Sequence, residues 1–238
     1  MASFSKAQKI VHRAEGGYQS LYNDKGNWTS GSTGIGTLIG TKYGISAPTL
    51  KSWLGKTPTK HDMQNLSYSE ALRIYRKRYW DKYYLGLVKN QSVANLIYDG
   101  IVNQGSSFMR GAVSKSAVQI GVSGLTKTNA LTPSSVIKLN RSNQKDLFAT
   151  IKANRKKRYE QIGGRYLKGW LNRLSRISFS RNIALFGDNP ETSGPSSDSD
   201  TPQKPKFLKK HWKKMAIFAT VGVTGVAIYY TIKALKKK

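Results

Sequence analysis

The sequence predicts a mainly α-helical protein with a small Gly/Thr-rich β-hairpin region and one C-terminal apolar helix. Three observations predict it. Apolar residues recur at helical spacing through most of residues 1–188. Residues 23–45, NDKGNWTSGSTGIGTLIGTKYGI, are dense in Gly, Thr and Ser, which suits a hairpin or loop. Met215 to Ile232, MAIFATVGVTGVAIYYTI, runs 18 residues without a charge.

Taken in order, the first helix spans Phe4 to Glu15, with Phe4, Ala7, Ile10, Val11 and Ala14 on one face and Gly16-Gly17 as its stop. After the Gly/Thr-rich region, Ala47-Pro48-Thr49 opens a helix carrying Leu50, Trp53 and Leu54. Ser67 and Glu70 form a capping-box pattern ahead of ALRIYRKRYWDKYY, in which each side chain can satisfy a free backbone donor. Val93, Leu96, Ile97 and Ile101 mark an apolar helix from Gln91 to Asn103. Residues 106–120, 147–161 and 166–173 read as further helices, and no internal repeat is present.

The remaining chain changes composition. Residues 183–201 hold Asp188, Glu191, Asp198 and Asp200 and no Lys or Arg, and their Pro, Ser and Gly mark 189–206 as a flexible linker. Residues 207–238 then read as a basic-flanked transmembrane tail. Lys209, Lys210, Lys213 and Lys214 precede the apolar run and Lys233, Lys236, Lys237 and Lys238 follow it. A helix needs about 17–25 apolar residues to span a bilayer, so residues 215–232 are expected to contact a lipid membrane. The N-terminus, MASFSKAQKI, has no apolar signal-peptide region.

Charge bounds the partners. The chain carries 40 Lys plus Arg against 12 Asp plus Glu, a net charge of +28, so it is expected to associate with polyanions. It has no RNA-recognition signature, zinc-finger spacing or basic heptad helix, and no specific nucleic-acid partner is expected. Without Cys, disulfides and thiolate chemistry are excluded. The three His (His12, His61, His211) do not cluster, so neither a metal nor a cofactor is expected.

With carboxylates scarce, their placement carries information. Cleavage of a glycosidic bond uses two carboxyl groups, one of them an acid protonated near neutral pH. Glu15, in AEGGY, falls where the first helix ends. The negative end of the helix dipole there disfavours a carboxylate anion. An ordinary helix terminus has the same pattern. Among the other acids of the body, Glu70 is expected in the capping box, while Asp62, Asp146 and Glu160 lie in polar or basic runs. Asp81 follows Tyr79-Trp80 and is expected to pair with a neighbouring Lys or Arg. Asp24 lies nine residues after Glu15 in the Gly-rich region, as a catalytic helper or a turn Asp. Asp99, on an apolar helix, calls for a basic partner. Asn103 and Gln104 are candidates to bind sugar amides, and Tyr18, Tyr43 and Trp28 either stack on sugar rings or pack the Gly/Thr-rich region. Tyr166, Trp170 and Arg173 either contact substrate or close the core, and Trp170 favours the core.

In order, HRAEGGY, a Gly/Thr-rich stretch ending TKYGIS, LSYSEALRIYRKRYWD and VANLIYDGIVNQG resemble glycoside hydrolase family 108, phage and bacterial lysozyme-like N-acetylmuramidases. The resemblance covers roughly residues 4–175. It implies a lysozyme-like muramidase domain over 1–163, and RYLKGWLNRL resembles the family's small peptidoglycan-binding region, here 164–188. It implies that Glu15 is the catalytic acid and bacterial peptidoglycan the partner. By similarity to lysozymes of tailed phages, Asp24 matches a helper Asp, and Thr29, Thr33 and Thr41 are candidates for an assisting Thr. Many members have Asp-Pro-Gly-Gly-x-Thr where this chain has a longer stretch, which leaves the Thr open. The expectation is a phage-type, membrane-anchored peptidoglycan hydrolase cleaving the β-1,4 bond between N-acetylmuramic acid and N-acetylglucosamine. The alternative is a non-catalytic wall- or membrane-binding component of a virion or envelope complex.

Overall fold

A computed structural model describes residues 1–12 and 17–180. Glu15, the linker at 189–206 and the tail at 207–238 lie outside the described residues.

Nine α-helices are described: α1 (Phe4–His12), α2 (Ala47–Leu54), α3 (Lys60–Gln64), α4 (Tyr68–Tyr75), α5 (Gln91–Gln104), α6 (Ser106–Gln119), α7 (Pro133–Leu139), α8 (Gln144–Ile162) and α9 (Leu167–Ser175). The central one is α5. Its residues from Ser92 to Ile101, Asn95 excepted, are buried, because α1, α6 and α8 all pack on it. A helix apolar on every side has to be enclosed, and the run VANLIYDGI satisfies this. Asn90 caps it, its Oδ1 accepting from the amides of Ser92 at 2.9 Å and Val93 at 3.1 Å.

The chain start is held to the same helix. The Ala2 amide donates to the Val88 carbonyl at 2.8 Å, and Gln91 accepts from the Ser3 amide and donates to its carbonyl. Phe4, Trp80 and Tyr98 then meet edge to face at 5.5–5.9 Å, the geometry that aromatic quadrupoles favour. Where α5 turns into α6, Gly100 faces Met109. A Cβ on Gly100 would lie 2.3 Å from the Met109 sulfur. Met109 is wholly buried and has no room to give way.

The stretch after α4 departs from the expected single helix. Residues 76–80 form a π-helical turn, with the Asp81 amide donating to the Arg76 carbonyl. A 3-10 turn at 81–83 and a left-handed Tyr84 (φ 53°) follow. Bonding over five residues brings Tyr75 and Trp80 onto one face, and both are buried. The capping box is half formed. Ser67 Oγ accepts from the Glu70 amide at 3.1 Å, but the Glu70 carboxylate instead accepts from Trp53 Nε1 at 2.5 Å and pairs with Arg73 at 2.8 Å. The reciprocal box is formed at α3, between Thr59 and Asp62.

The predicted fold class is corrected on two counts. The Gly/Thr-rich region forms no strand among the described residues. It holds single antiparallel bridges only, Gln19 to Thr41, Trp28 to Leu38 and Lys42 to Ile45. Its glycines explain this: Gly31, Gly34, Gly36, Gly40 and Gly44 all have φ between 72° and 88°, and each turn breaks the extended run a ladder needs. No transmembrane helix is found either. Among the described residues no helix is long and apolar enough to cross a membrane, and 215–232 fall outside them.

The polar centre of the fold is Asp99, which is wholly buried. One oxygen accepts from Arg155 Nη2 at 2.7 Å and the other from Arg173 Nε at 2.8 Å. Arg155 is also wholly buried and donates to the Leu96 carbonyl at 2.8 Å and to Gln104 Oε1 at 2.6 Å. Burial pushes the Asp99 carboxyl up, but the Arg173 and Arg155 guanidiniums outweigh it and hold the group below its ordinary value of 3.8. The cluster ties α5, α8 and α9 together, and Trp170 stacks on Tyr159 beside it at 5.3 Å.

Removing one partner of a buried pair leaves the other uncompensated, so Asp99→Asn should cost about 3–5 kcal/mol in denaturant unfolding. The sign of the pH dependence follows from the depressed carboxyl. Its contribution is complete above the ordinary carboxylate value and is lost as pH falls below it. Melting temperatures of the wild type should therefore drop more steeply below about pH 4 than those of Asp99→Asn; parallel curves would contradict this.

Candidate active site

The Gly/Thr-rich lobe is organised by side chains rather than by a ladder. Asp24 caps a 3-10 turn at Lys25–Asn27 and is buried. Its Oδ1 accepts from the Gly26 amide at 2.9 Å and its Oδ2 from Gln19 Nε2 at 3.1 Å. Gln19 Nε2 also donates to Asn27 Oδ1 at 3.0 Å, and Gln19 Oε1 accepts from Asn27 Nδ2 at 2.9 Å and from the Leu21 amide at 3.0 Å. Asn27, wholly buried, donates further to the Leu21 carbonyl at 2.8 Å. These bonds fix the Asp24 carboxylate in one orientation, as a site needs before substrate arrives.

Thr41 comes to the same place. Its hydroxyl donates to the Gly26 carbonyl at 3.3 Å, while its backbone exchanges bonds with Gln19 at 2.8 and 2.9 Å. One peptide turn, at Gly26, is thus held by Asp24 through its amide and by Thr41 through its carbonyl. Thr29 is used otherwise: its Oγ1 accepts from the Thr37 amide at 2.9 Å. Thr33 makes no side-chain hydrogen bond among the described residues, which leaves Thr41 as the Thr that shares a turn with Asp24. Tyr18 lies over Gly40, where a Cβ would come within 2.6 Å of its ring. The buried Tyr18 hydroxyl has no hydrogen-bond partner among the described residues.

From Thr41 the chain runs to Gly44 and Ser46, which line a cleft of about 600 Å³. Its other walls come from Tyr75 to Tyr83, from the α5–α6 junction at 101–108, and from α8 and α9. Tyr43 stands beside it with φ 50°, its carbonyl accepting from the Tyr75 hydroxyl at 3.2 Å and its ring meeting Tyr68 at 5.5 Å. Asn103, Gln104 and Trp170 line the cleft. Gln104 is committed at both ends, donating to the Arg155 carbonyl and accepting from its side chain. Asn103 Nδ2 donates to Asp99, at 2.7 Å to its carbonyl and 3.1 Å to its carboxylate. Trp170, buried and stacked on Tyr159, shows the cleft only an edge of the core. Trp28 is buried too, its indole N–H donating to the Tyr22 carbonyl at 2.8 Å.

So the structure brings Asp24 and Thr41 to one turn, and Asn103, Gln104 and Trp170 to one cleft. Glu15 is outside the described residues. Sequence reasoning passed over Gln19 and Asn27, which hold Asp24, and Arg78, Tyr79 and Arg158, which line the cleft. Two carboxamides flanking a lone Asp in a Gly-rich stretch were a readable signal for the first pair. Nothing local marks the others. Among the described residues no cluster of His, Asp and Glu could hold a metal.

Replacing Gln19 by Leu removes four hydrogen bonds to Asp24, Asn27 and Leu21. Each buried group left unpaired costs about 1–3 kcal/mol, so Gln19→Leu should unfold at clearly lower urea concentration. A midpoint matching that of the wild type would show that the lobe does not depend on this network.

Residues 8–105 match the family model described as Glycosyl hydrolase 108, a span that includes α1, the Gly/Thr-rich lobe and α5. The match supports a glycoside hydrolase. No curated protein matches the chain. Among solved structures, that of Brucella abortus SagA superposes with a TM-score of 0.61 and 24% identity, over 76% of this chain and 98% of the other. At that identity the likeness is one of fold.

Proposed function

We propose that this chain is a peptidoglycan hydrolase of the N-acetylmuramidase type, cleaving the β-1,4 bond between N-acetylmuramic acid and N-acetylglucosamine. The glycosyl hydrolase 108 match over 8–105 carries the proposal, because it spans both Glu15 and Asp24. The pre-oriented Asp24, and the cleft that Gly44 and Ser46 of the following segment line, are consistent with it. Glu15 is the general acid and gives its proton to the bridging oxygen as the anomeric C–O bond breaks, so the leaving sugar departs as a hydroxyl. Asp24 stabilises the positive charge that develops at the anomeric carbon. Water then adds to that carbon, and its proton passes to a carboxylate: Asp24 if configuration inverts, Glu15 if it is retained. Thr41 fixes the turn that presents Asp24. Tyr18 and Tyr43 offer ring faces to sugars, and Asn103, Gln104 and Trp170 form the part of the cleft that bounds the glycan.

Loss of a general acid costs roughly 10²–10⁴-fold in rate. Full-length wild type and Glu15→Gln are to be compared on purified peptidoglycan, with mass spectrometry of the products. Release of fragments ending in reducing N-acetylmuramic acid, reduced by that factor in the variant, is the expected result. No release by the folded wild type from several wall types would favour a wall-binding role instead. Equal release by both proteins would remove Glu15 from the mechanism.

A further inference from the structure

A cleft that binds only neutral sugars needs ring faces and hydrogen-bonding groups; it has no need of cations. This cleft has four. Lys77, Arg78 and Lys82 stand on the segment after α4, and Arg158 stands on α8. No carboxylate of the described residues lines it. Lys77 is partly answered by Asp81 at 3.6 Å, outside the lining. Among the described residues the two arginines have no carboxylate partner. Arg78 donates only to Ser52 Oγ, at 2.5 Å, and Arg158 lies over the Phe108 ring at 5.8 Å with no ion pair among the described residues. Both are half-buried. A guanidinium is a planar fork that matches a carboxylate with two parallel hydrogen bonds, and a ring beneath leaves that fork free. The interior guanidiniums of Arg155 and Arg173 both find Asp99, while Arg110, half-buried without an ion pair among the described residues, lies outside the cleft. Two partly desolvated guanidiniums facing one cleft, with no counterion among the described residues, are placed for a counterion that arrives with the ligand.

The geometry points to Arg78 and Arg158 as determinants that select peptide-substituted glycan, by pairing with the carboxylates of its stem peptides. This rests on the reading of the cleft as a glycan site. The lysines add attraction without shape, since an ammonium is a hydrated point charge. The arginines supply the directed contacts. A strand bearing peptides therefore gains bonds that a strand of the same length, with its lactyl carboxylates capped as amides, lacks.

The test is binding, so that its failure is separable from failure of the hydrolase reading. Fluorescent glycan fragments of one length are prepared with stem peptides, and after their enzymatic removal with each freed lactyl carboxylate converted to its amide. Affinity of the full-length protein for each is measured by anisotropy. The expected result is a preference for the peptide-bearing fragment of about tenfold or more, the scale of charge-assisted pairing. In Arg78→Gln/Arg158→Gln the ratio of the two affinities should fall to near one. Lys145→Gln/Lys156→Gln, with the same loss of charge on α8 outside the cleft, should keep the preference. Amidation of the peptide carboxylates should abolish it in the wild type. Circular dichroism and melting temperature confirm that each variant is folded. Equal affinity of the wild type for both fragments would overturn the inference. So would a preference that survives in the arginine variant or disappears equally in the lysine variant. Tighter binding of a phosphodiester wall polymer than of the peptide-bearing fragment would overturn the assignment to carboxylates.

Discussion

Asp99 is a carboxylate with no exposed surface, and everything around it is arranged so that it can stay charged. Removing an anion from water costs several kcal/mol even after relaxation. Two guanidiniums and an amide from Asn103 offset that, each from a different direction. Meeting them requires α5, α8 and the far end of α9 to come to one point, so the pair acts as a registration mark for the helices. Arg155 carries the demand outward through Leu96 and Gln104, and Gln104 together with Asn103 faces the cleft. The wall of the candidate site is thus an outer layer of the buried ion cluster.

The Gly/Thr-rich lobe is built on another principle. The segment from Gln19 to Ile45 lacks a ladder, because its glycines turn the chain every few residues. Backbone groups that a sheet would pair are satisfied by side chains and by isolated bridges, as buried polar groups must be. Gln19, Asp24, Asn27, Thr29, Ser30 and Thr41 share this, each bonding a backbone group of the segment. The benefit for chemistry is that Asp24 is oriented by bonds to both of its oxygens. A turn Asp and a catalytic helper are different uses of one residue, and here the turn geometry is what would make the helper rigid.

The charge of the chain has two components with different meaning. Most of its 40 basic residues stand on exposed faces or outside the described residues, where charge governs association in general. Arg78 and Arg158 face a concave site, and Arg155 is enclosed. Exposure decides which of these a basic residue serves, and composition alone cannot register it.

Local information in the sequence determined the helices with sustained periodicity, such as α1 and α5, and the glycine-dense interruption between α1 and α2. Those depend on contacts three or four residues apart. It also determined that Asp99 needs a basic partner, since an apolar helix cannot leave a carboxylate alone. Only tertiary structure decided which partner. Arg155 and Arg173 lie 56 and 74 residues away, among many equivalent Lys and Arg. It decided too that the Gly/Thr-rich stretch would not be a hairpin, because a ladder needs consecutive extended residues and the glycines here adopt positive φ. It set Glu70 against Trp53 rather than in a full capping box, and turned the helix after Tyr75 into a π-turn so that Trp80 could reach Phe4 and Tyr98. In each case the local preference was real, and a partner distant in sequence offered the larger gain.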